Sequence, residues 1–160
     1  MPGPPAARVG DMTAHGSPLA PGPGSMNVLI GSQPAWRGIT AAQAAALAEA
    51  VAQGAENIAK ATAEQTAAAG TPGAPAAATN LAKTVADTAA NLTSLMASFA
   101  ADIHACPVVK PIPDGIGVVI NGSQTVLINS LAACRIGDII QEASSVNSIA
   151  QGLPTVLIGG

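Results

Sequence analysis

Apolar and polar positions follow two different patterns along the chain. In residues 1–39 and 103–160, short apolar runs lie between glycines and prolines, a pattern typical of short strands and tight turns. Residues 40–102 are rich in alanine, contain almost no glycine, and place larger apolar residues three, four or seven positions apart, which indicates amphipathic helices. We therefore expect an α+β fold in which a helical insertion, residues 40–102, separates the two parts of one β-rich unit.

The insertion is expected to form two antiparallel helices. Thr40 and Gln43 match a capping box, in which each side chain bonds the backbone of the other at a helix start. The glycines and prolines of residues 70–75 end this first helix and turn the chain. The second helix carries an apolar stripe formed by Leu81, Val85, Leu92, Leu95, Met96, Phe99 and Ile103. Two such helices, each roughly 28 residues and about 40 Å long, form either a spacer arm or a docking surface for a partner.

The flanking parts contain two short elements that are each repeated three times. One appears as GSMNVLI (24–30), GSQTVLI (122–128) and GLPTVLI (152–158), and the other as AARVGD (6–11), AWRG (35–38) and ACRIGD (133–138). The offsets between the elements match, since Val28 and Arg37 are as far apart as Val126 and Arg135. Each repeat predicts a strand, a turn and a second strand, and three small repeats around an axis would bury one shared core.

The arginine of the second element recurs in every repeat, and we interpret it as structural. Catalytic residues seldom repeat in register, whereas residues that build a repeated turn do. Arg8, Arg37 and Arg135 are therefore expected to pair with Asp11 and Asp138 or with backbone carbonyl groups.

The composition points to a chain that needs stabilisation beyond an ordinary core. The sequence is 49% hydrophobic but only 1% aromatic, so its core lacks the side chains that bury the most area. A metal ion, a partner subunit or repetitive strand pairing would supply the difference. A net charge of −3 without a basic stripe argues against nucleic-acid binding. We expect no transmembrane helix and no signal peptide, and reduced cysteines in the cytoplasm at synthesis.

The sequence has few histidines and cysteines, the side chains that commonly bind metals, and most of them lie at the edges of the repeats. His15 lies between glycines, and His104 and Cys106 form a His-x-Cys pair followed by proline. Such a pair alone is more often incidental than a metal site, but nitrogen and sulfur are the ligands that structural zinc prefers. We predict one zinc ion on these three residues, with Asp114 in a glycine- and proline-bounded loop as the fourth ligand. Cys134, within the repeat, is expected to be a small buried apolar residue.

The sequence contains no arrangement typical of an enzyme. We find no nucleophile elbow, no glycine loop leading into a helix, and no paired carboxylates in an aromatic cleft. A small metalloenzyme that uses Asp114 or Glu142 as a base is the disfavoured alternative. The protein is therefore expected to be non-enzymatic.

The repeated segments resemble the PAAR-repeat family closely, in order as well as in sequence. The segments concerned are PAARVGDMTAHG (5–16), GSMNVLIGSQPAWR (24–37), DIHACP (102–107), GSQTVLINSLAACRIGD (122–138) and GLPTVLIGG (152–160). The resemblance implies a conical β domain, residues 1–39 with 103–160, that forms the piercing tip of a contractile injection system. A type VI secretion apparatus and an extracellular phage-tail-like particle are both machines of this kind.

The resemblance also implies a metal site near the point of the cone. Family members bind zinc there through three histidines and one cysteine. His15, His104 and Cys106 match ligand positions, and Asp114 stands where similar members have histidine. Zinc is the expected ion, with iron as the alternative.

Partners and location follow from the same resemblance. It implies that one tip caps a trimeric spike protein of the VgrG type. The helical arm, residues 40–102, is either a spacer or a site that recruits an effector or spike component. The alternative is an adaptor that acts mainly through this arm. We expect no nucleic-acid partner, contact with a target membrane only during puncture, and no toxin domain after the last repeat. The chain would be made in the cytoplasm and leave it as part of the particle.

Overall fold

Two long helices and ten short strands make up the part of the chain that the structure, a computed structural model, describes: residues 3–110 and 112–159. The helices are α1 (Ala41–Ala68) and α2 (Ala74–Ala97). The strands are β1 (Pro5–Ala6), β2 (Leu29–Ile30), β3 (Gln33–Pro34), β4 (His104–Cys106), β5 (Gly115–Val119), β6 (Leu127–Ile128), β7 (Leu131–Ala132), β8 (Ile139–Glu142), β9 (Val146–Ser148) and β10 (Leu153–Leu157). The strands pair antiparallel, as β1–β10, β2–β3, β6–β7 and a four-stranded sheet β4–β5–β8–β9. The predicted α+β class is confirmed.

The three sequence repeats close into a ring with approximate three-fold symmetry. The backbone N–H of Ala7 donates to the carbonyl oxygen of Cys134 at 2.9 Å, Trp36 donates to Ala7 at 3.0 Å, and Cys134 donates to Trp36 at 3.2 Å. The residues that flank these three also pair in the same cyclic order. Strand β1, from the start of the chain, supplies the second strand of the last repeat by pairing with β10.

Successive residues of each repeat pack into two different cores, because neighbouring side chains of an extended strand point to opposite sides. The first core contains Ala6, Ile30, Ala35, Ile128, Ala133 and Ile158. The second contains Ala7, Leu19, Trp36, Val119, Cys134, Ile140 and Ile149. Cys134 is buried at the place of Ala7 and Trp36, as predicted from the repeat. The two cores are stacked along the pseudo-three-fold axis, so the molecule has two chemically distinct ends.

The predicted helical hairpin is confirmed, but α2 has 24 residues and ends at Ala97, so Phe99 and Ile103 follow the helix and the prediction that they belong to it is wrong. Thr40 accepts a hydrogen bond from the Gln43 backbone, and the Gln43 side chain accepts one from the Thr40 backbone, which completes the capping box. Gly54 is buried, and a Cβ added there would overlap Thr88 Cγ2, so the glycine lets the two helices approach closely. Neither helix contains a stretch that is long and apolar enough to cross a membrane, within the residues described.

The hairpin is anchored at its base to the four-stranded sheet. Leu47, Leu92 and Met96 from the helices pack with Val118 and Ala143 from the β-rich part in a third core. The turn at the far end of the hairpin, residues 69–73, is exposed. The arm is therefore held at one end and projects from the β-rich part.

Candidate metal centre and the opposite face

Two of the repeats build a tight turn around an arginine and an aspartate three residues later. In the first repeat the backbone N–H of Arg8 donates to Asp11 Oδ2 at 2.8 Å, and the guanidinium bonds the same carboxylate. Arg135 and Asp138 repeat this arrangement, with the same 2.8 Å backbone bond. The predicted structural role of these arginines is confirmed.

The second repeat completes the same turn across the helical insertion. Arg37 donates from its backbone N–H and its Nε to Asp102 Oδ2, both at 2.9 Å, although the two residues are 65 positions apart. The backbone N–H of Asp102 donates to the Arg37 carbonyl oxygen at 3.1 Å, as in the other two turns. The hairpin thus interrupts the repeat between its arginine and its aspartate, and the chain re-enters the repeat at Asp102. The sequence analysis did not identify this pairing.

Counting from the aspartate of each repeat identifies a set of equivalent positions. The fourth residue after Asp11 is His15, after Asp102 it is Cys106, and after Asp138 it is Glu142. These three side chains converge, and Asp114 joins them from the connection between β4 and β5. One ligand-type atom from each of the four residues lies within 4.8 Å of the others. We call this end of the molecule the apex.

The three distances from His15 Nδ1 to the other members match those around a tetrahedral metal ion, and the Cys106–Asp114 distance is slightly longer. His15 Nδ1 lies 3.5 Å from Cys106 Sγ, 3.3 Å from Glu142 Oε2 and 3.7 Å from Asp114 Oδ2. Cys106 Sγ lies 3.9 Å from Asp114 Oδ2. Tetrahedral zinc with ordinary bond lengths holds its ligand atoms about 3.3–3.7 Å apart. The group of one nitrogen, one sulfur and carboxylate oxygens therefore fits a divalent ion.

Asp114 presents one carboxylate oxygen to the group and uses the other for support. Its Oδ1 accepts hydrogen bonds from Lys110 Nζ at 3.3 Å and Ser144 Oγ at 3.1 Å, while Oδ2 faces His15 and Cys106. Burial by itself would raise the pKa of this carboxyl group. Donors from Ser144, Lys110 and Ser145 outweigh burial, so the pKa is lowered and the carboxylate stays charged.

In the absence of an ion, the surroundings of Cys106 favour its neutral thiol. Burial raises the pKa of its thiol, and the nearby carboxylates of Glu142 and Asp114 raise it further, although a backbone hydrogen bond at Val108 opposes them. A metal binds the thiolate, so binding at this residue would release a proton and strengthen with rising pH.

His104, the remaining predicted ligand, lies next to the group without being part of it. It is buried, its Nδ1 is 3.0 Å from the Pro18 carbonyl oxygen, and its Nε2 is 3.3 Å from Ser17 Oγ. Its Nε2 is also 3.8 Å from Glu142 Oε1. Burial lowers the pKa of His104, which favours the neutral ring. The structure brings together His15, Cys106 and Asp114 as predicted, and the ligand role of all four stays a prediction.

Glu142 is the member of the group that sequence reasoning missed as a ligand. Two signals mark it: it is the one glutamate in the sequence outside residues 40–102, and it occupies the third-repeat position equivalent to His15. The second signal can be counted from the first and third repeats alone, and Cys106, four residues after Asp102, then shows that this position carries a ligand-type side chain in all three repeats.

The opposite end of the molecule presents the same residue three times. Leu29, Leu127 and Leu157 occupy equivalent positions in the three repeats and are 61%, 61% and 47% exposed. Each is followed by an isoleucine that is buried in the first core. We call the surface formed by these three leucines the basal face.

The fold and the apex group define a small α+β protein built from three repeats, with a helical arm and a His-Cys-Asp-Glu cluster that could hold a metal ion. The model of the PAAR motif matches residues 111–160, about a third of the chain, which confirms the resemblance read from the repeats. The PAAR family consists of structural spike-tip proteins, and this motif supports a spike-tip role in a contractile injection system. No curated protein and no solved structure matches the chain.

Proposed function

We propose that this protein is the non-enzymatic tip that caps the trimeric spike of a contractile injection system, such as a type VI secretion apparatus. PAAR proteins in general bind the VgrG spike. The observation that carries the proposal is the basal face, where Leu29, Leu127 and Leu157 are exposed at three equivalent positions. A trimer ends in three identical surfaces, and one chain with three equivalent leucines offers each of them the same contact.

Burial of the three leucines would drive this docking. Fully burying a leucine side chain contributes about 1.5–3 kcal/mol, and the strand ends beside them offer backbone groups for pairing with strands of the spike. The three-fold match also supports a stoichiometry of one tip per spike trimer. Such a tip would be made in the cytoplasm, leave it on the particle, and contact a target membrane only during puncture.

The test replaces the three leucines together. A Leu29→Asp, Leu127→Asp, Leu157→Asp variant and the wild type are each co-purified with the cognate spike trimer, and complex masses are measured by light scattering. Val109→Asp is the control, because Val109 is 82% exposed but lies outside the basal face. We expect one tip per trimer for the wild type and the control, and no complex for the triple variant. Three tips per trimer, or no wild-type complex, would contradict the proposal.

We further propose that one zinc ion, with iron as the alternative, stabilises the apex. The predicted ligands are His15, His104, Cys106 and Asp114, and three of these belong to the group whose spacing fits a tetrahedral ion. The ion would link segments that follow different repeats, where too few residues meet to form a hydrophobic core. Elemental analysis of the purified chain should find one equivalent of metal.

A second candidate role belongs to the arm, as an adaptor for an effector or another spike component. We propose that residues 40–102 are an insertion into one discontinuous unit, residues 1–39 and 103–160. Anchorage of the hairpin at its base and exposure of its far turn support this division. Replacing residues 44–96 with a short flexible linker keeps Asp102 for its bond with Arg37. Spike binding should then persist while cargo delivery is lost, and unchanged delivery would mean that the arm is only a spacer.

A further inference from the structure

We infer that Glu142 is a direct ligand of the apex metal ion and that His104 is a positioning residue outside the ligand set. The ion would then be held by one imidazole nitrogen, one thiolate sulfur and two carboxylates, from His15, Cys106, Asp114 and Glu142. This inference rests on the proposed metal site and names the residues that form it.

The repeat geometry brings Glu142 to the ion position. It lies four residues after the aspartate of the third repeat, as His15 and Cys106 do in the first and second. Because the three turns are superimposable in their hydrogen bonds, residues at this offset approach the pseudo-three-fold axis from three sides. His104 lies two residues after its aspartate, the offset occupied by the core residue Ile140 in the third repeat and by Thr13 in the first.

Hydrogen bonds from two uncharged donors hold the Glu142 carboxylate in place, so they do not neutralise its negative charge. Glu142 is fully buried, Oε1 accepts a hydrogen bond from Asn147 Nδ2 at 2.9 Å, and Oε2 accepts one from Ser145. The residue paired with it on β5 is Gly117, where a Cβ would lie 2.9 Å from Glu142 Cγ. The glycine therefore leaves the space through which the glutamate side chain reaches the apex.

Within the described residues, the basic groups that lie near the Glu142 carboxylate are the His15 and His104 rings, and a histidine ring balances its charge only when protonated. A buried carboxylate close to a second one is costly unless a cation compensates it. Lys110 pairs with Asp114 Oδ1, the oxygen that faces away from the group, and so does not neutralise Glu142. A divalent ion among the four side chains would neutralise both carboxylates at once.

His104, in contrast, has partners in the protein for both ring nitrogens. A carbonyl oxygen only accepts, so Nδ1 carries the proton that bonds Pro18, and Nε2 is left to accept from the Ser17 hydroxyl. For His104 to bind the ion, its Nε2 would have to lose the hydrogen bond that it accepts from the Ser17 hydroxyl. In its present place the ring lies 3.8 Å from Glu142 Oε1 and limits the space open to that carboxylate by packing beside it.

The donor set indicates the class of ion. Thiolate disfavours magnesium and calcium, and two carboxylates disfavour copper(I), so a borderline divalent ion such as zinc fits best. Cobalt(II) is a suitable probe, because it accepts the same geometry and its absorption reports thiolate ligation.

The test compares Glu142→Gln with His104→Gln in the full chain, using zinc alone and a competing chromophoric chelator. We expect Glu142→Gln to weaken zinc binding at least about 100-fold, and His104→Gln to weaken it by about tenfold, the size of effect that supporting residues have. The thiolate-to-cobalt band should persist in both. Wild-type affinity in Glu142→Gln, or a larger loss in His104→Gln, would overturn the inference while leaving the metal site in place. A wild-type chain that binds no zinc would instead refute the proposed metal site itself.

Thermal melts separate a ligand from a merely structural glutamate. In chelator, Glu142→Gln should melt higher than the wild type, because it removes a buried charge that no ion neutralises. In zinc it should melt lower, because a ligand is lost. His104→Gln should melt lower in both conditions. Glu142→His restores a ligand and should regain one zinc per chain, and a Glu142→Gln variant that melts lower in both conditions would refute a ligand role.

Discussion

The two ends of the β-rich part use the same repeat in opposite ways. At the basal face the three repeats present the same side chain, with Leu29, Leu127 and Leu157 all exposed. At the apex the three equivalent positions carry a histidine, a cysteine and a glutamate. The hydrogen-bonded frame between the two ends is nearly symmetric, so the difference lies in the side chains and not in the backbone.

This difference shows what a single chain with internal repeats can do that a homotrimer cannot. A surface that meets three identical subunits needs three identical contacts, which is the arrangement that we propose for the basal face. A single ion on the axis of one chain can be held by donors that differ in charge and softness, whereas a homotrimer would fix its donor set to one type. Covalent linkage of the repeats allows the apex to be chemically asymmetric while the base stays symmetric.

The largest effect on stability is expected from removing the ion at the apex. With free zinc at roughly a thousand times its dissociation constant, binding adds about 4 kcal/mol to the free energy of unfolding. Cys106→Ser should lose most of this gain, and a chelator should bring the wild type to the same level. Urea melts with zinc and with chelator measure the difference, with Cys134→Ala as the control that retains the gain. Equal melts for the wild type in both conditions would contradict the prediction.

The next largest effect is expected from the turn that the hairpin interrupts. Asp102 is 1% exposed and accepts three hydrogen bonds from Arg37, one from the backbone and two from the guanidinium, so Asp102→Ala leaves a nearly buried guanidinium without its carboxylate and with the 3.4 Å bond to Asn129 Oδ1. Removing one partner of a buried pair costs about 3–5 kcal/mol, and partial exposure of Arg37 sets the expected loss near the lower figure, about 3 kcal/mol. Asp87→Ala, in an exposed helix pair, should change stability by less than about 0.5 kcal/mol. Equal stabilities for the two variants would argue that Asp102 does not complete the repeat.

How much could be predicted from the sequence depends on the range over which each interaction acts. Local signals sufficed for the capping box at Thr40, the turn of residues 70–75 and the arginine–aspartate turns of the first and third repeats. Two members of the apex group, His15 and Cys106, were predicted because histidine and cysteine are rare in this chain, and Asp114 was predicted because its glycine- and proline-bounded loop follows Cys106. Asp102 was missed because the insertion separates it from Arg37 by 65 positions. Glu142 aligns with His15 in the first and third repeats, but the ligand character of this position becomes plain only when Cys106 is counted from Asp102.

The two cysteines allow a comparison of the apex with the core, because Cys106 belongs to the apex group and Cys134 to the second core. Burial raises the pKa of the Cys134 thiol well above its usual range, so the folded state favours the neutral thiol. A raised pKa in the folded state contributes stability that is present below the unfolded thiol's pKa of about 8.5 and is lost as pH rises above it, by about 1.4 kcal/mol per pH unit. Cys134→Ala introduces into the third repeat the alanine that the first repeat has at the equivalent position, Ala7. It should remove this contribution to the slope of stability against pH. Unfolding curves between pH 8 and pH 10 measure it, and parallel slopes for the two proteins would contradict the prediction.

The smallest effect on stability is expected at the basal face. Each of Leu29→Ala, Leu127→Ala and Leu157→Ala removes an exposed side chain, so the free energy of unfolding should change by less than about 0.5 kcal/mol. Spike affinity should fall by a similar factor for each, roughly tenfold, because the trimer meets three equivalent contacts. Apex substitutions should instead differ from one another, since each removes a different donor. Titration of the three leucine variants against one spike trimer measures this equivalence, and a loss confined to one leucine would mean that docking does not follow the three-fold axis.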